Sequence, residues 1–265
     1  MILETIRGEV MRIFLVIAVT LIVSGCASQG PSDEYLQSLA AVAVSNPARS
    51  EVDRQLDAKR KPAEVLGFFR TRPGMKVLDV FGGGGYYTEI LSYLVGDSGA
   101  VTLYNNNPWN QFVKDQVAAR LKDNRLPNAS ALTVEPEGLG QVTEQYDAAI
   151  FILGMHDIYY EDNANGWPAI DVRAFLLDIH RLIRPGGILG IIDHNAQSGS
   201  DPEIVGKTLH RVDPARVISD LEAIGFSLEA KSNILRNPGD DLTGLVFAKE
   251  LRWQTDRSVL RFRRK

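Results

Sequence analysis

Four consecutive glycines, Gly82 to Gly85, follow a short apolar run with one acid in it, Val77-Leu78-Asp79-Val80-Phe81. Glycine in an ordered element costs about 0.5–1 kcal/mol, so such a run signals a need for bare backbone. A ligand touching the main chain is the usual need, and the N–H groups at the start of a following helix favour a carboxylate or phosphate. The other reading is a tight strand-to-helix turn with no ligand. A dinucleotide fingerprint requires a third glycine where Tyr87 stands, and a P-loop requires a Gly-Lys-Ser/Thr that is missing here. A second set of chemically able residues lies in loops: His156 beside Asp157, His194 beside Asp193, and His210 further on. Imidazole accepts a proton near neutral pH, which makes His156 the expected base and Asp157 or His194 its positioning group. The plainer alternative is that these residues tie strand ends together. Two histidines and a carboxylate can also hold a metal, but the spacing of His156, His194 and His210 is long-range and matches no motif, so no metal is assigned.

The elements that must position these groups alternate along the chain. Strands are expected at Lys76–Val80, Ala100–Tyr104, near Ala131–Val134, Tyr146–Leu153, Ile188–Asp193, Phe226–Ser232 and Ser258–Arg264, with helical patterns between them. Such alternation predicts a parallel sheet with helices on both faces. Pro62 opens a helix with Val65, Leu66 and Phe69 on one face, and Gly96 stops the helix that follows the glycine run. Residues from Phe112 to Leu121 keep one helical spacing, and His180 falls on an amphipathic helix as a packing or surface residue. Asp213-Pro214 reads as an N-cap followed by a first-turn proline. The long segment from Tyr159 to Ile170, with Tyr159, Tyr160 and Trp167, reads as a lid or an aromatic pocket wall.

The segment Val77 to Thr88 resembles the first motif of class I S-adenosylmethionine-dependent methyltransferases. Arg181-Leu182-Ile183-Arg184-Pro185-Gly186-Gly187-Ile188-Leu189 resembles their helix-to-fifth-strand motif, with Tyr146 to Ile150 as the intervening fourth strand. The resemblance covers residues 61–265. It implies an α/β, Rossmann-like class I methyltransferase fold, a seven-stranded mostly parallel sheet whose last strand is antiparallel, with S-adenosylmethionine as cofactor and a small-molecule acceptor. It also implies a cofactor site at Asp79, Gly82, Gly83, Gly84 and Gly85, Asn105 at the ribose position, and Glu135 or Glu137 near the adenine. Two positions depart from the pattern. Phe81 stands where the first glycine of the motif belongs, and Asn105 replaces an acid that normally accepts from both ribose hydroxyls. An amide without charge weakens such a pairing by about 1.5–3 kcal/mol.

The chain has 265 residues, 45% of them hydrophobic, and a net charge of -4, which suits one sizeable core and gives no basic surplus for nucleic acid. The basic run from Arg252 to Lys265 reads as an edge strand with solvated charges. Ile13 to Val23 is apolar but too short to span a bilayer, as a signal peptide's hydrophobic region is. It ends in Val23-Ser24-Gly25-Cys26, which resembles the lipobox of bacterial lipoproteins, and Cys26 is the only cysteine. That resemblance implies acylation at Cys26, export, and a lipid anchor in the membrane. Ala27 and Ser28 imply the outer membrane, facing the periplasm. Met11-Arg12 makes a better signal start than Met1. The expected organisation is a signal peptide over 1–25, a tether and peripheral helix over 26–60, and the methyltransferase-like domain over 61–265. Because S-adenosylmethionine is made in the cytosol, the competing reading is an exported binding module that kept the fold and lost catalysis. Oligomeric state is not legible.

Overall fold

The computed structural model of the chain describes residues 30–265; the expected signal peptide, the lipobox and Cys26 lie outside the described residues. One sheet organises the rest, with strands β1 (Lys76–Val80), β2 (Ala100–Asn105), β3 (Ala129–Thr133), β4 (Tyr146–Ile152), β5 (Ile183–His194), β6 (Phe226–Ser232) and β7 (Arg257–Arg264). Their order is β3-β2-β1-β4-β5-β7-β6. Every neighbouring pair is parallel except those made by β7, which runs antiparallel to β5 and β6. The chain winds outward from β1 in both directions, so a crevice opens at the carboxyl ends of β1 and β4, the place where open α/β sheets bind ligands.

The central strands are apolar on both faces because helices cover both. Leu78, Val80 and Phe151 meet Phe175, Ile179 and Leu221, which come from α7 (Val172–Leu182) and α9 (Pro214–Ala223). Val77, Val101 and Ile150 face the other way, against Leu66, Ile90 and Leu91 of α3 (Pro62–Phe68) and α4 (Tyr86–Val95). As expected, Asp213 caps α9, its Oδ1 accepting from the Ala215 N–H at 2.8 Å. His180 packs edge-on against Phe226, with ring centroids 4.9 Å apart.

Three expectations need correction. The segment before Lys61, expected as a tether with one peripheral helix, holds from Pro31 on two helices packed into the domain, since α1 (Asp33–Val44) and α2 (Glu51–Arg60) belong to the compact unit that begins at Pro31. Leu36, Ala40 and Ala43 recur on one face of α1 and bury it. Gly67 lets α1 cross α3 closely, since a Cβ there would lie 2.7 Å from the Cα of Gln37. Arg49 is fully buried, pairing with both oxygens of Asp57 at 2.7 and 2.8 Å. The helix expected through Leu121 is broken into α5 (Asn107–Val113) and α6 (Gln116–Leu121) at Lys114, whose φ is 54°. The break lays both pieces along the glycine run. Finally, β7 is not an edge strand but lies between β5 and β6, and its arginines are bonded to the fold. Arg261 pairs with Glu229 at 2.9 Å and Arg263 with the same carboxylate at 2.6 Å, while Arg257 donates to the Lys59 carbonyl.

Beneath the glycine run, Asp79 is buried and accepts from the Thr88 hydroxyl at 2.6 Å, joining β1 to α4. Burial pushes its carboxyl up to about 7, against the opposing pull of the Thr88 hydrogen bond. A carboxyl whose folded pKa exceeds its unfolded value of about 3.9 takes stability away as pH rises from there through about 7. Asp79→Asn keeps the shape and the acceptor, so its melting temperature should exceed wild type by on the order of several degrees at pH 8 and match it near pH 4 in paired thermal scans. Beyond the end of β5, Arg211 and Asp240, both with fully buried side chains, form a bidentate pair at 2.8 and 3.0 Å. Arg211→Met strands that carboxylate, and urea unfolding should show a loss of about 3–5 kcal/mol.

Candidate active site

The turn after β1 is built around backbone that side chains would obstruct. Gly83 and Gly85 hold φ of 58° and 81°, in the left-handed region that glycine adopts without strain. Phe81 is also left-handed, at 46°, and its ring turns into the core. There it lies 5.4 Å from both Tyr104 and Phe175 and 5.5 Å from Phe151, centroid to centroid. The residue at the first glycine position of the motif thus packs mainly into the core, and it also stacks on Trp109 at 5.9 Å at the edge of the cleft.

Asn105, at the end of β2, is fully buried and pinned to this turn. Its Oδ1 accepts from the Gly83 N–H at 3.1 Å, and its Nδ2 donates to the Gly83 carbonyl at 3.0 Å and to Asn110 Oδ1 at 3.1 Å. The expected ribose ligand thus spends its amide on the glycine loop. Glu135 accepts from the Asn107 N–H at 3.1 Å and fixes the start of α5. Asp79, Gly85, Asn105 and Glu135 stand behind the site as its support, while Gly82, Gly83 and Gly84 line a cleft of about 580 Å³.

Over those glycines lie side chains that the sequence did not single out. Trp109 stands opposite Gly83 and Gln116 opposite Gly84, so close that a Cβ on Gly84 would meet Gln116 Oε1 at 2.2 Å. Trp167, from the expected lid, stands edge-on to Trp109 at 6.0 Å and lines the cleft. Its companions do other things. Tyr159 donates to Asp220 at 2.9 Å, and Tyr160 donates to Asp157 at 3.1 Å. Arg60, at the end of α2, is held over the rings of Tyr86 at 4.4 Å and Trp253 at 4.7 Å. No carboxylate pairs with it among the described residues, and its Nε and Trp109 Nε1 are buried donors without a partner. Arg60 had no local signal, because it ends a segment whose packing depends on residues far along the chain.

At the far end of the same cleft, the loops after β4 and β5 bring His156, Asp157 and His194 together with His210. Asp193 organises them. It accepts from the His156 backbone N–H at 2.8 Å and from the His194 N–H at 2.7 Å, and it meets His156 Nδ1 at 2.9 Å. The other ring nitrogen of His156 lies 3.3 Å from Asp157 Oδ1. Burial disfavours charge on His156, but the carboxylates of Asp157 and Asp193 outweigh it and hold its pKa well above the usual range. The expected base His156 thus has carboxylates facing both its ring nitrogens. Burial keeps His194 and His210 neutral. His194 Nδ1 is 2.6 Å from Thr255 Oγ1, and His210 packs edge-on to His156 at 5.3 Å.

Comparison with known proteins bears on this arrangement. Residues 31–125 match the family model of protein-L-isoaspartate (D-aspartate) O-methyltransferase. The chain is 32% identical over 136 residues to the ubiquinone/menaquinone biosynthesis C-methyltransferase UbiE of Shewanella sp. (strain W3-18-1), covering 51% of this chain and 47% of that protein. UbiE of Shewanella sediminis matches over the same shares, also at 32%. The chain thus spans about half the length of the curated relatives it matches. Among solved structures, a SAM-dependent methyltransferase from Aquifex aeolicus superposes with a TM-score of 0.57 at 18% identity, over 81% of this chain and 96% of that one. The chain has the fold of the class I S-adenosylmethionine-dependent methyltransferases, and over about half its length its sequence is similar to the methyltransferases named above.

Proposed function

We propose that the protein is an S-adenosylmethionine-dependent methyltransferase acting on a small acceptor held between aromatic side chains. The observation that carries this is one continuous cleft, with the open glycine turn at one end and the His156–Asp157 cluster at the other. Its volume suits a cofactor with part of a substrate. Gly82, Gly83 and Gly84 would hold the cofactor from below and Trp109 and Gln116 from above. The unpartnered donors Arg60 Nε and Trp109 Nε1 suit a ligand that brings a carboxylate and ring acceptors. When bound, S-adenosylmethionine supplies a methyl group already activated by its sulfonium, so the chain's own residues need mainly to align the acceptor and exclude water. Trp167 and Phe247 form apolar walls for the acceptor, and the His156–Asp157 end receives its polar group. Export and a lipid anchor at Cys26, with the active domain facing the periplasm, complete the reading.

Asn105 favours a second reading. With its amide committed to Gly83, no acid stands at the ribose position, as would be so in an exported binding module without catalysis. Calorimetric titration of the purified chain with S-adenosylmethionine and S-adenosylhomocysteine separates the two. Micromolar binding is expected, weakened about tenfold to a hundredfold by Arg60→Met through loss of a charge-assisted bond, and abolished by Gly83→Val. No binding at millimolar ligand in folded protein would leave the second reading. For the anchor, Cys26→Ser should accumulate as unprocessed, unacylated chain, which mass spectrometry of the membrane fraction would reveal; identical processing in mutant and wild type would end that part of the proposal.

A further inference from the structure

The polar end of the cleft holds more than the alignment of an acceptor requires. We propose that His156, Asp157 and His210 form a binding site for a divalent transition-metal ion. One ligand atom from each of the three lies within 4.8 Å of the other two. Two imidazole nitrogens and one carboxylate oxygen suit Zn²⁺ or its first-row neighbours, whereas Mg²⁺ and Ca²⁺ prefer oxygen alone.

Three independent features point the same way. The first is orientation. Asp193 holds His156 through both the backbone N–H and Nδ1, at 2.8 and 2.9 Å, which is the carboxylate–histidine arrangement that fixes a metal-ligating ring. Nε2 is thereby turned toward Asp157, yet no hydrogen bond joins the two across their 3.3 Å, as when both atoms aim at a common third point. The second is charge. Asp157 and Asp193 are both buried, and among the described residues neither meets a lysine or arginine. Two buried acid groups beside imidazole nitrogens, with no lysine or arginine at hand, are a donor set that suits a dication. The third is access. All three residues line the cleft, so three protein ligands would leave coordination positions facing the acceptor. His210 reaches the cluster from the left-handed cap of α8 (Pro202–Leu209), its ring set by Phe247 at 4.9 Å and Tyr160 at 6.0 Å. His194, tied to Thr255, stays outside the trio. An ion in this place would polarise an oxygen or sulfur of the acceptor and favour its attack on a methyl group.

The test uses the full chain with any affinity tag removed, stripped of metal by chelator and dialysis, then titrated with Zn²⁺, Co²⁺ and Mg²⁺. One Zn²⁺ per chain at micromolar or tighter affinity is expected, with visible Co²⁺ absorption bands from nitrogen ligation and no comparable Mg²⁺ binding. Asp193→Asn should weaken Zn²⁺ about tenfold to a hundredfold. His210→Asn, which tolerates the left-handed cap, should weaken it at least tenfold while circular dichroism stays that of wild type. No stoichiometric Zn²⁺ binding to the wild-type chain, equal affinity for Mg²⁺, or affinity unchanged in both variants would overturn the site. Titrating S-adenosylmethionine into the same metal-free sample keeps the two ideas apart, because cofactor binding without metal binding sinks only the metal site, and the reverse sinks only the cofactor reading.

Discussion

Asp193 is the interaction on which the site's geometry rests. This carboxylate is buried at the end of β5, where it accepts from the backbone N–H groups of His156 and His194 and from the His156 ring. The loop after β4 is thereby clamped to the end of β5, and the polar end of the cleft acquires its shape. A buried carboxylate is costly unless it is fully hydrogen-bonded, and these contacts, with the positive character they draw onto His156, hold its pKa below the usual carboxylate range against its burial. The segment after β6 supplies the next layer. Arg211 donates to the Asn195 carbonyl and pairs with Asp240, which accepts from the Asp256 N–H, while Asp256 accepts from Asn195 Nδ2. Leu209 to Pro214 and Thr255 to Arg257, far apart in sequence, meet here. Their shared task is to brace the end of β5.

The other end of the cleft is fixed by a different kind of constraint. The glycine turn resists side chains at Gly82 and Gly84 because Asp79 and Gln116 crowd them, and at Gly83 and Gly85 because their backbone is left-handed. Arg120 bonds the Gly84 carbonyl at 3.0 Å and also pairs with Asp53 of α2 and Glu89 of α4. The N-terminal helices are therefore part of the wall of the site. Without α2 the cleft would lose Arg60 and the acidic partner that steadies α6.

How much of this was legible in the sequence depended on range. The strands, the glycine turn, the Asp213 cap and the helix from Pro62 were readable because local patterns decide them: apolar runs, glycines at strand ends, a polar residue before proline. The gathering of His156, Asp157 and His194 followed from the rule that loops after parallel strands converge, once the sheet order was right. The errors share the opposite cause. Whether residues 33–60 are a tether depends on Gly67 and Asp57 offering a place to dock, and whether β7 is an edge depends on β6 crossing beyond it. Arg60 and His210 reach the site only through such long-range packing. What the sequence did not reveal at Asn105 and His156 is that both side chains are committed to neighbours, which sequence spacing does not encode.

That commitment changes the meaning of the two departures from the methyltransferase motif. Asn105 gives Gly83 an acceptor and a donor at once, bonding both its N–H and its carbonyl. An aspartate could accept from the N–H but would turn a second oxygen toward the carbonyl, buried and without a cation beside it, at a cost of several kcal/mol on the order expected for an unpaired buried charge. Phe81, at the start of the same turn, holds a left-handed backbone and places its ring among Tyr104, Phe151 and Phe175. Both residues bind the turn more firmly to the sheet. Random loss of function would leave broken contacts at these positions, whereas each makes a full set. The physical consequence is a glycine turn tied to the sheet through a neutral amide, with Arg60, Gln116 and Trp109 as the polar side chains that face the cleft beside it.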